Sequence, residues 1–135
     1  MKRLLFAALA LLAWVSACKR RDSTLPAAYA DVGVPQQQLR SLEALERGRA
    51  LFGEHCALCH GASGDGHGTR REGLSSRPRD LTDSAWRSQA TERGVYFVIR
   101  EGVRGTAMPS WKSLEEAEAW DLVAFVLSVG QEPRR

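Results

Sequence analysis

The sequence predicts a small all-α domain of three to five helices, preceded by an export signal and a linker. Apolar residues recur at helical spacing in several stretches, and capping residues stand directly before those stretches. We expect the domain to extend from about Ser41 to Gln131, with a short tail over residues 132–135. A segment of roughly ninety residues predicts a single hydrophobic core.

Residues 1–17 have the pattern of a signal peptide. Lys2 and Arg3 precede an apolar stretch, Leu4 to Val15, that is short for a bilayer-spanning helix. Val15-Ser16-Ala17-Cys18 resembles the bacterial lipobox, in which the cysteine is lipidated after cleavage. The alternative is an ordinary cleavage site followed by a free cysteine. The resemblance implies an exported protein, anchored by lipid at Cys18 to the periplasmic side of the inner or outer membrane.

Residues 18–40 are expected to form a flexible tether between the lipid and the domain. Pro26, Gly33, Pro35 and the run Gln36 to Gln38 show no helical apolar period.

The motif Cys56-Ala57-Leu58-Cys59-His60 carries the clearest chemical signal in the chain. Its spacing is that of c-type haem attachment, in which two thiols bind the haem covalently and the histidine ligates iron. A redox dithiol would need a βαβ context, and a structural zinc site would need four ligands; neither pattern surrounds this motif. The single motif predicts one covalently bound haem c with its iron.

The first helix is expected to begin after Ser41 and to lead directly into this motif. Gly48 lies inside it, one turn before Phe52, where glycine costs about 1 kcal/mol relative to alanine. Close approach of another helix would explain that glycine. Past the motif, the glycine-rich stretch Gly61 to Gly68 predicts a loop.

Further helices follow the extended segment Arg77 to Thr82. A short one is expected from Asp83 to Gln89, and a second from the cap at Thr91 to a stop at Gly102. Ser113 and Glu116 form a capping-box pattern for a last, largely apolar helix that runs to about Val129.

Met108 is the expected second axial ligand of the haem iron. It is the only methionine after the signal segment, and it lies in the proline-stiffened loop Gly105-Thr-Ala-Met-Pro-Ser-Trp111. A gap-filling role in the core is the alternative. His55 and His67 are weaker candidates for the same position. Arg79 is a candidate partner for a haem propionate, since a guanidinium matches a carboxylate.

Together these motifs resemble, over about ninety residues, a class I monohaem cytochrome c. The motifs stand in the family's order: Gly48-x3-Phe52, Cys56 to His60, Gly64-Asp-Gly66, Pro78 to Thr82, Gly105 to Pro109 and Asp121 to Phe125. The resemblance implies that the first and last helices cross, with Gly48 and Phe52 meeting Leu122 and Phe125, and that a haem edge is exposed for electron transfer. This chain departs from the family at Gly66-His67-Gly68-Thr69, which leaves open what steadies His60.

The charge balance argues against nucleic-acid binding. The net charge of +3 falls to +1 when Lys2 and Arg3 of the signal are subtracted. Arginines concentrate in the middle of the chain and carboxylates near the start of the last helix, which indicates either a solvated surface or a docking surface for a redox partner. The arginines are Arg70, Arg71, Arg77, Arg79, Arg87, Arg93, Arg100 and Arg104.

The predicted function is electron transfer in a bacterial respiratory chain, between membrane-associated partner proteins and without a small-molecule substrate. No catalytic pair of carboxylates, Ser/His arrangement or phosphate loop is recognisable in the sequence. The alternatives are a haem subunit of an oxidoreductase or oxidase complex and, if Met108 dissociates, a sensor of NO or CO or a weak peroxidase.

Overall fold

A computed structural model describes residues 24–131. The predicted signal peptide, the lipidation site at Cys18 and the tail over 132–135 lie outside the described residues and stay predictions.

Seven α-helices and no strand make up the regular structure of the described residues. The all-α prediction is therefore confirmed, although the number of helices is higher than expected because four of them have only four residues each. The bounds are α1 Ala27–Ala30, α2 Gln36–Leu39, α3 Leu42–His55, α4 Ala57–His60, α5 Ser84–Arg87, α6 Glu92–Glu101 and α7 Glu116–Ser128.

The first long helix, α3, crosses the last, α7, at Gly48. A Cβ placed on Gly48 would lie 2.0 Å from the carbonyl oxygen of Asp121 and 2.9 Å from Cβ of Phe125. One turn further on, the rings of Phe52 and Phe125 pack with centroids 5.1 Å apart. The backbones can approach this closely only because position 48 has no side chain, which explains the interior glycine.

A charged cluster fastens the same crossing. The Asp121 side chain is only 3% exposed and accepts hydrogen bonds from Arg47 Nε at 2.6 Å and Arg47 Nη2 at 3.0 Å. Gln38 Nε2 donates to the same carboxylate at 2.8 Å and to the Ala117 carbonyl at 2.9 Å. A buried carboxylate is costly unless it is fully bonded, and these three donors satisfy it.

Residues 24–40, predicted as part of a flexible tether, instead fold onto the domain. We call them the N-terminal segment. Ala30 is buried, and Tyr29, Val32, Val34 and Leu39 pack against the hydrophobic core. The segment was misjudged because its stability comes from tertiary contacts, which leave no helical period in so short a stretch.

The capping predictions are confirmed at two of three helix starts. The side chains of Ser41 and Thr91 accept backbone N–H groups at the starts of α3 and α6. Asp83, for which no cap was predicted, does the same at the start of α5. The prediction of Ser113 as cap of α7 is wrong. Glu115 is the cap, and it forms a reciprocal capping box with Glu118.

The core lies between α3, α6 and α7, and the N-terminal segment packs against it. Tyr96 of α6 stacks on Trp120 of α7 with ring centroids 4.2 Å apart, while Leu122 and Val123 are almost fully buried. Within residues 24–131, no helix combines the length and the apolarity needed to cross a membrane.

Candidate haem-attachment site

The two cysteines of the motif belong to one short helix and its N-cap. Cys56 ends α3 and caps α4, and Cys59 and His60 lie in the last turn of α4. Both thiols are free of disulfide bonding and partly exposed. Because α4 follows α3 almost without a break, the Gly48 crossing that anchors α3 also fixes the position of the motif.

The loop after His60 folds back and holds α4 by its own backbone. The carbonyls of Leu58, Cys59 and His60 accept hydrogen bonds from the amides of Arg70 at 2.8 Å, Gly68 at 3.1 Å and Gly66 at 2.8 Å. These carbonyls at the end of a helix would otherwise lack partners. A Cβ on Gly68 would lie 2.3 Å from the Leu58 carbonyl oxygen, so the loop needs glycine there.

His60 is oriented by a backbone carbonyl. Its Nδ1 lies 3.0 Å from the carbonyl oxygen of Arg79. Since a carbonyl only accepts hydrogen bonds, Nδ1 must carry the proton and donate it, which leaves the lone pair on Nε2. A histidine held in this way presents Nε2 for metal ligation. The residue that steadies His60, left open by the sequence, is thus Arg79 through its main chain.

The environment of Cys56 separates haem attachment from dithiol chemistry. Burial, reinforced by the nearby Cys59, raises the pKa of the Cys56 thiol to about 11. Reactive dithiols have thiols with lowered pKa values, in surroundings that favour the thiolate. In the part of the chain that is described, no three His, Cys, Asp or Glu side chains gather as a metal-binding group would.

Met108 lies half-buried in the loop between α6 and α7, residues 102–115, which we call the Met108 loop. Its amide donates to Thr106 Oγ1 at 3.1 Å, and its carbonyl accepts from the Val103 amide at 3.2 Å. At the start of the loop, Gly102 has φ +68° and no room for a Cβ, which would lie 2.6 Å from the Met108 carbonyl oxygen. The backbone around Met108 is therefore closely defined.

The Met108 loop reaches the attachment motif through an aromatic contact. Trp111, three residues after Met108, packs its ring against that of His55, with centroids 4.7 Å apart. The Trp111 amide donates to the Ile99 carbonyl at 3.0 Å, and Ser110 Oγ donates to the Arg100 carbonyl at 2.7 Å. Because His55 directly precedes Cys56, this contact brings the loop and the motif together. Nothing in the sequence pattern indicated it.

The two alternative histidines have other contacts. The His67 side chain is 65% exposed, and its Nδ1 lies 2.8 Å from the Asp65 carbonyl oxygen. The His55 ring packs against Trp111, and its Nε2 lies 3.8 Å from Oε1 of Glu54. Met108 therefore stays the preferred second ligand.

The residues present fit a covalently bound haem. Two thiols flank one turn of helix, an imidazole has its outer nitrogen free for iron, and a thioether lies on a loop packed beside the motif. This set matches His/Met ligation of haem iron. The side chain of Arg79 is exposed, and its pairing with a propionate stays a prediction.

Comparison with known families matches most of the domain. The family model described as cytochrome c oxidase, cbb3-type, subunit III, matches residues 43–126. That range contains the attachment motif, the Met108 loop and the crossing of α3 with α7.

Curated relatives are subunits of oxidases. The cbb3-type cytochrome c oxidase subunit FixP of Sinorhizobium medicae (strain WSM419) is 32% identical over 87 residues, 64% of this chain and 28% of FixP. The cbb3-type subunit CcoP of Azospirillum sp. (strain B510) is 36% identical over 61 residues, 45% of this chain and 18% of CcoP. The chain thus spans less than a third of the length of either relative.

Solved structures of similar fold include c-type cytochromes. The c-type cytochrome KustC0563 superposes with a TM-score of 0.52 at 29% identity, over 62% of this chain and 98% of that chain. A chain of the Kuenenia stuttgartiensis reducing HAO-like complex Kustc0457/Kustc0458 gives a TM-score of 0.62 at 28% identity, over 67% of this chain and 46% of that chain.

The motif, the fold and the comparisons agree. The chain contains a class I-like monohaem cytochrome c domain with covalently bound haem c, and it belongs to the cytochrome c family described as cytochrome c oxidase, cbb3-type, subunit III.

Proposed function

We propose that this domain carries single electrons as the haem-bearing part of a respiratory oxidase complex. The observation that carries the proposal is the family match over residues 43–126, because the matching family and relatives are described as oxidase subunits. A free-standing carrier, the leading expectation from the sequence, receives less support from these relatives.

Each residue of the site has a separate task in this proposal. Cys56 and Cys59 would hold the haem through thioether bonds, and His60 Nε2 and the Met108 thioether would ligate its iron. When bound, haem c supplies a one-electron redox couple, and ligation by a thioether and an imidazole favours its reduced state. With these two side chains as ligands, the iron would have no position for a substrate, which suits electron transfer.

The proposed docking surface is the loop that packs against the motif. Residues 70–79, which we call the basic loop, contain four arginines and one acidic residue, Glu72. Arg70, Arg77 and Arg79 are exposed, and Arg71 pairs with Glu72 at 4.0 Å. Because the basic loop is hydrogen-bonded to α4 at Leu58 and to His60, it lies beside the haem-attachment site. Its charge suits an acidic patch on the electron-transfer partner.

Charge reversal tests this surface. Replacing Arg70 and Arg77 with glutamate should lower the second-order rate of electron transfer with the partner by about tenfold at low salt, because steering depends on complementary charge. Arg40→Glu, an exposed arginine at the end of α2, is the matched control and should leave the rate unchanged. Equal rates for both variants at low and high salt would exclude the basic loop as the docking site.

Association with an oxidase is tested in the source bacterium. The full chain, tagged at its carboxyl end, should copurify with oxidase subunits, and its haem should be oxidised on addition of O2 at the rate of the complex. Recovery of the tagged chain alone, with rapid reduction and oxidation by free carriers, would instead support the independent electron carrier.

Membrane attachment through Cys18 is also part of the proposal, on the periplasmic side of the membrane. It is supported by the lipobox-like sequence Val15 to Cys18. Cys18→Ser should move the haem-bearing chain from the membrane to the soluble fraction. Unchanged fractionation would show that Cys18 does not anchor the chain to the membrane.

A further inference from the structure

The N-terminal segment touches more than the core. It also reaches the Met108 loop through one carboxylate. Tyr29 Oη donates a hydrogen bond to Oε1 of Glu101, the last residue of α6. Lys112 Nζ lies 2.7 Å from Oε2 of the same carboxylate. Since Lys112 is only four residues after Met108, Tyr29, Glu101 and Lys112 form a bridge from the N-terminal segment to the loop.

Tyr29 and Glu101 have the protonation states that their hydrogen bond requires. Burial, followed by the hydrogen bond to Glu101, raises the pKa of Tyr29 to about 12, so Tyr29 keeps its proton and donates it. Hydrogen bonds from Lys112 and then Tyr29 lower the pKa of Glu101. At neutral pH the carboxylate is therefore ionised and accepts from both sides.

Tyr29 docks the N-terminal segment onto α6. Its ring packs edge-on against Phe97, with centroids 4.9 Å apart, and lies 6.2 Å from the ring of Tyr96. The neighbouring Ala30 is 3% exposed. Displacing the N-terminal segment from the domain would therefore remove the Tyr29 hydroxyl from Glu101.

The Met108 loop has no regular structure and is held to the domain by individual contacts. Residues 102–115 contain no helix or strand. Trp111 packs on His55, the Leu114 carbonyl accepts a hydrogen bond from Arg100 Nη1 at 2.6 Å, and Lys112 pairs with Glu101. Removing one of these contacts lowers the free energy needed to open the loop locally.

We propose that Tyr29, Glu101 and Lys112 are positioning residues that couple the N-terminal segment to the Met108 loop, so that docking of the segment stabilises Met108 in its ligating position. This inference rests on the proposed ligation of iron by Met108. It assigns to a segment predicted as a passive tether a direct influence on the haem site.

Ligand competition in the full-length holoprotein tests the coupling. Tyr29→Phe keeps the ring packing and removes only the hydroxyl, while Lys112→Leu removes the charge at the other end without adding a side chain that could ligate iron. Each should raise the rate of CO binding to the reduced protein about threefold to tenfold, the effect of losing one hydrogen bond of about 1 kcal/mol. Because both residues act through Glu101, the double variant should show less than the product of the two effects.

Two controls separate positioning from loss of stability. Lys112→Arg keeps the ion pair with Glu101 and should bind CO as slowly as the unaltered protein. Ser41→Ala removes the cap of α3, outside both the N-terminal segment and the bridge. It should lower the stability with a much smaller change in CO binding. If Ser41→Ala and Tyr29→Phe raise the CO-binding rate equally, the bridge has no specific role and the proposal is overturned.

Amide hydrogen exchange supplies a readout independent of the iron ligand. Trp111 N–H, bonded to the Ile99 carbonyl, should exchange faster in Tyr29→Phe and in Lys112→Leu. Unchanged exchange in both variants would overturn the coupling. The optical spectrum of the unaltered protein is a separate readout. If that spectrum shows no methionine-to-iron band, Met108 is not an iron ligand and that part of the proposed function is overturned. Faster exchange of Trp111 N–H in the variants would still support the coupling of segment and loop.

Discussion

Gly48 shows how one missing side chain positions the whole site. It lets the α3 backbone approach Asp121 of α7, and α3 leads directly into the helix that carries Cys59 and His60. Gly53 lies on the same helix with nothing within 4 Å of the place where a Cβ would be. The two glycines therefore differ in environment while sharing the same helical conformation.

Alanine substitution at these two glycines should change the free energy of unfolding in opposite directions. Gly48→Ala should lower the free energy of unfolding by about 2 to 3 kcal/mol, because a Cβ 2.0 Å from the Asp121 carbonyl oxygen must push the helices apart. Gly53→Ala should raise it by about 0.5 to 1 kcal/mol through helix propensity. Denaturant unfolding of the holoprotein measures both. Equal effects would show that the crossing does not depend on position 48.

The carboxylate of Glu101 makes the stability depend on pH. Its pKa is lowered in the folded protein from the ordinary 4.5, first by Lys112 and then by Tyr29. The folded state therefore binds this proton less readily than the unfolded chain does, and the stabilisation is complete above 4.5 and lost as the pH falls through the lowered value. Glu101→Gln should have a shallower acid slope below 4.5 in unfolding experiments. An unchanged slope would show that the bridge does not contribute.

Features encoded by a local motif could be predicted from the sequence, and contacts between distant residues could not. The spacing Cys56 to His60 and the interior Gly48 each have one physical explanation, and both can be recognised without coordinates. The carbonyl of Arg79 that orients His60 lies nineteen residues away, in a loop, and main-chain groups leave no mark in the sequence. The contact of His55 with Trp111 was hidden for the same reason.

At the scale of elements, capping chemistry decides where helices begin. Ser41 and Thr91 each bond a backbone amide three residues further on, which is why their roles were predictable, and Asp83 does the same without having been predicted as a cap. Ser113 failed as a cap because Glu115 and Glu118, two residues further on, form a reciprocal pair. Two overlapping capping patterns cannot be ranked from sequence alone.

The competition between these two patterns can be measured. Glu115→Ala should lower the free energy of unfolding by about 1 kcal/mol, since it removes the cap of α7. Ser113→Ala should change it by less than about 0.5 kcal/mol, as for an ordinary surface residue. Thermal or denaturant unfolding of the two variants provides the comparison, and a larger loss for Ser113→Ala would reverse the assignment.

The N-terminal segment shows that apolar periodicity cannot predict very short helices. Its helices α1 and α2 have four residues each, too short for a 3.6-residue pattern to emerge. What orders the segment is contact with other elements, such as Tyr29 on Phe97 and Gln38 on Asp121. The sequence therefore suggested a linker where the structure has part of the domain.

At the scale of the whole molecule, the crossing of α3 and α7 and the Met108 loop converge on one motif. The crossing fixes α4, residues 66–79 bond its carbonyls and orient His60, and the Met108 loop packs against His55. Such convergence is what a covalently attached haem with two axial side chains requires. The family match extends over the same elements, which supports the proposed role in an oxidase complex.

The most direct test is an optical spectrum of the purified holoprotein, oxidised and reduced, with and without CO, beside the same spectra of Met108→Ala. We expect a low-spin haem with a sulfur-to-iron charge-transfer band at the red end of the oxidised spectrum. The reduced protein should respond little to CO. The variant should lose that band, bind CO and have a lower reduction potential. A high-spin, CO-responsive spectrum in the unaltered protein would contradict the His60/Met108 site and favour a sensor or a peroxidase.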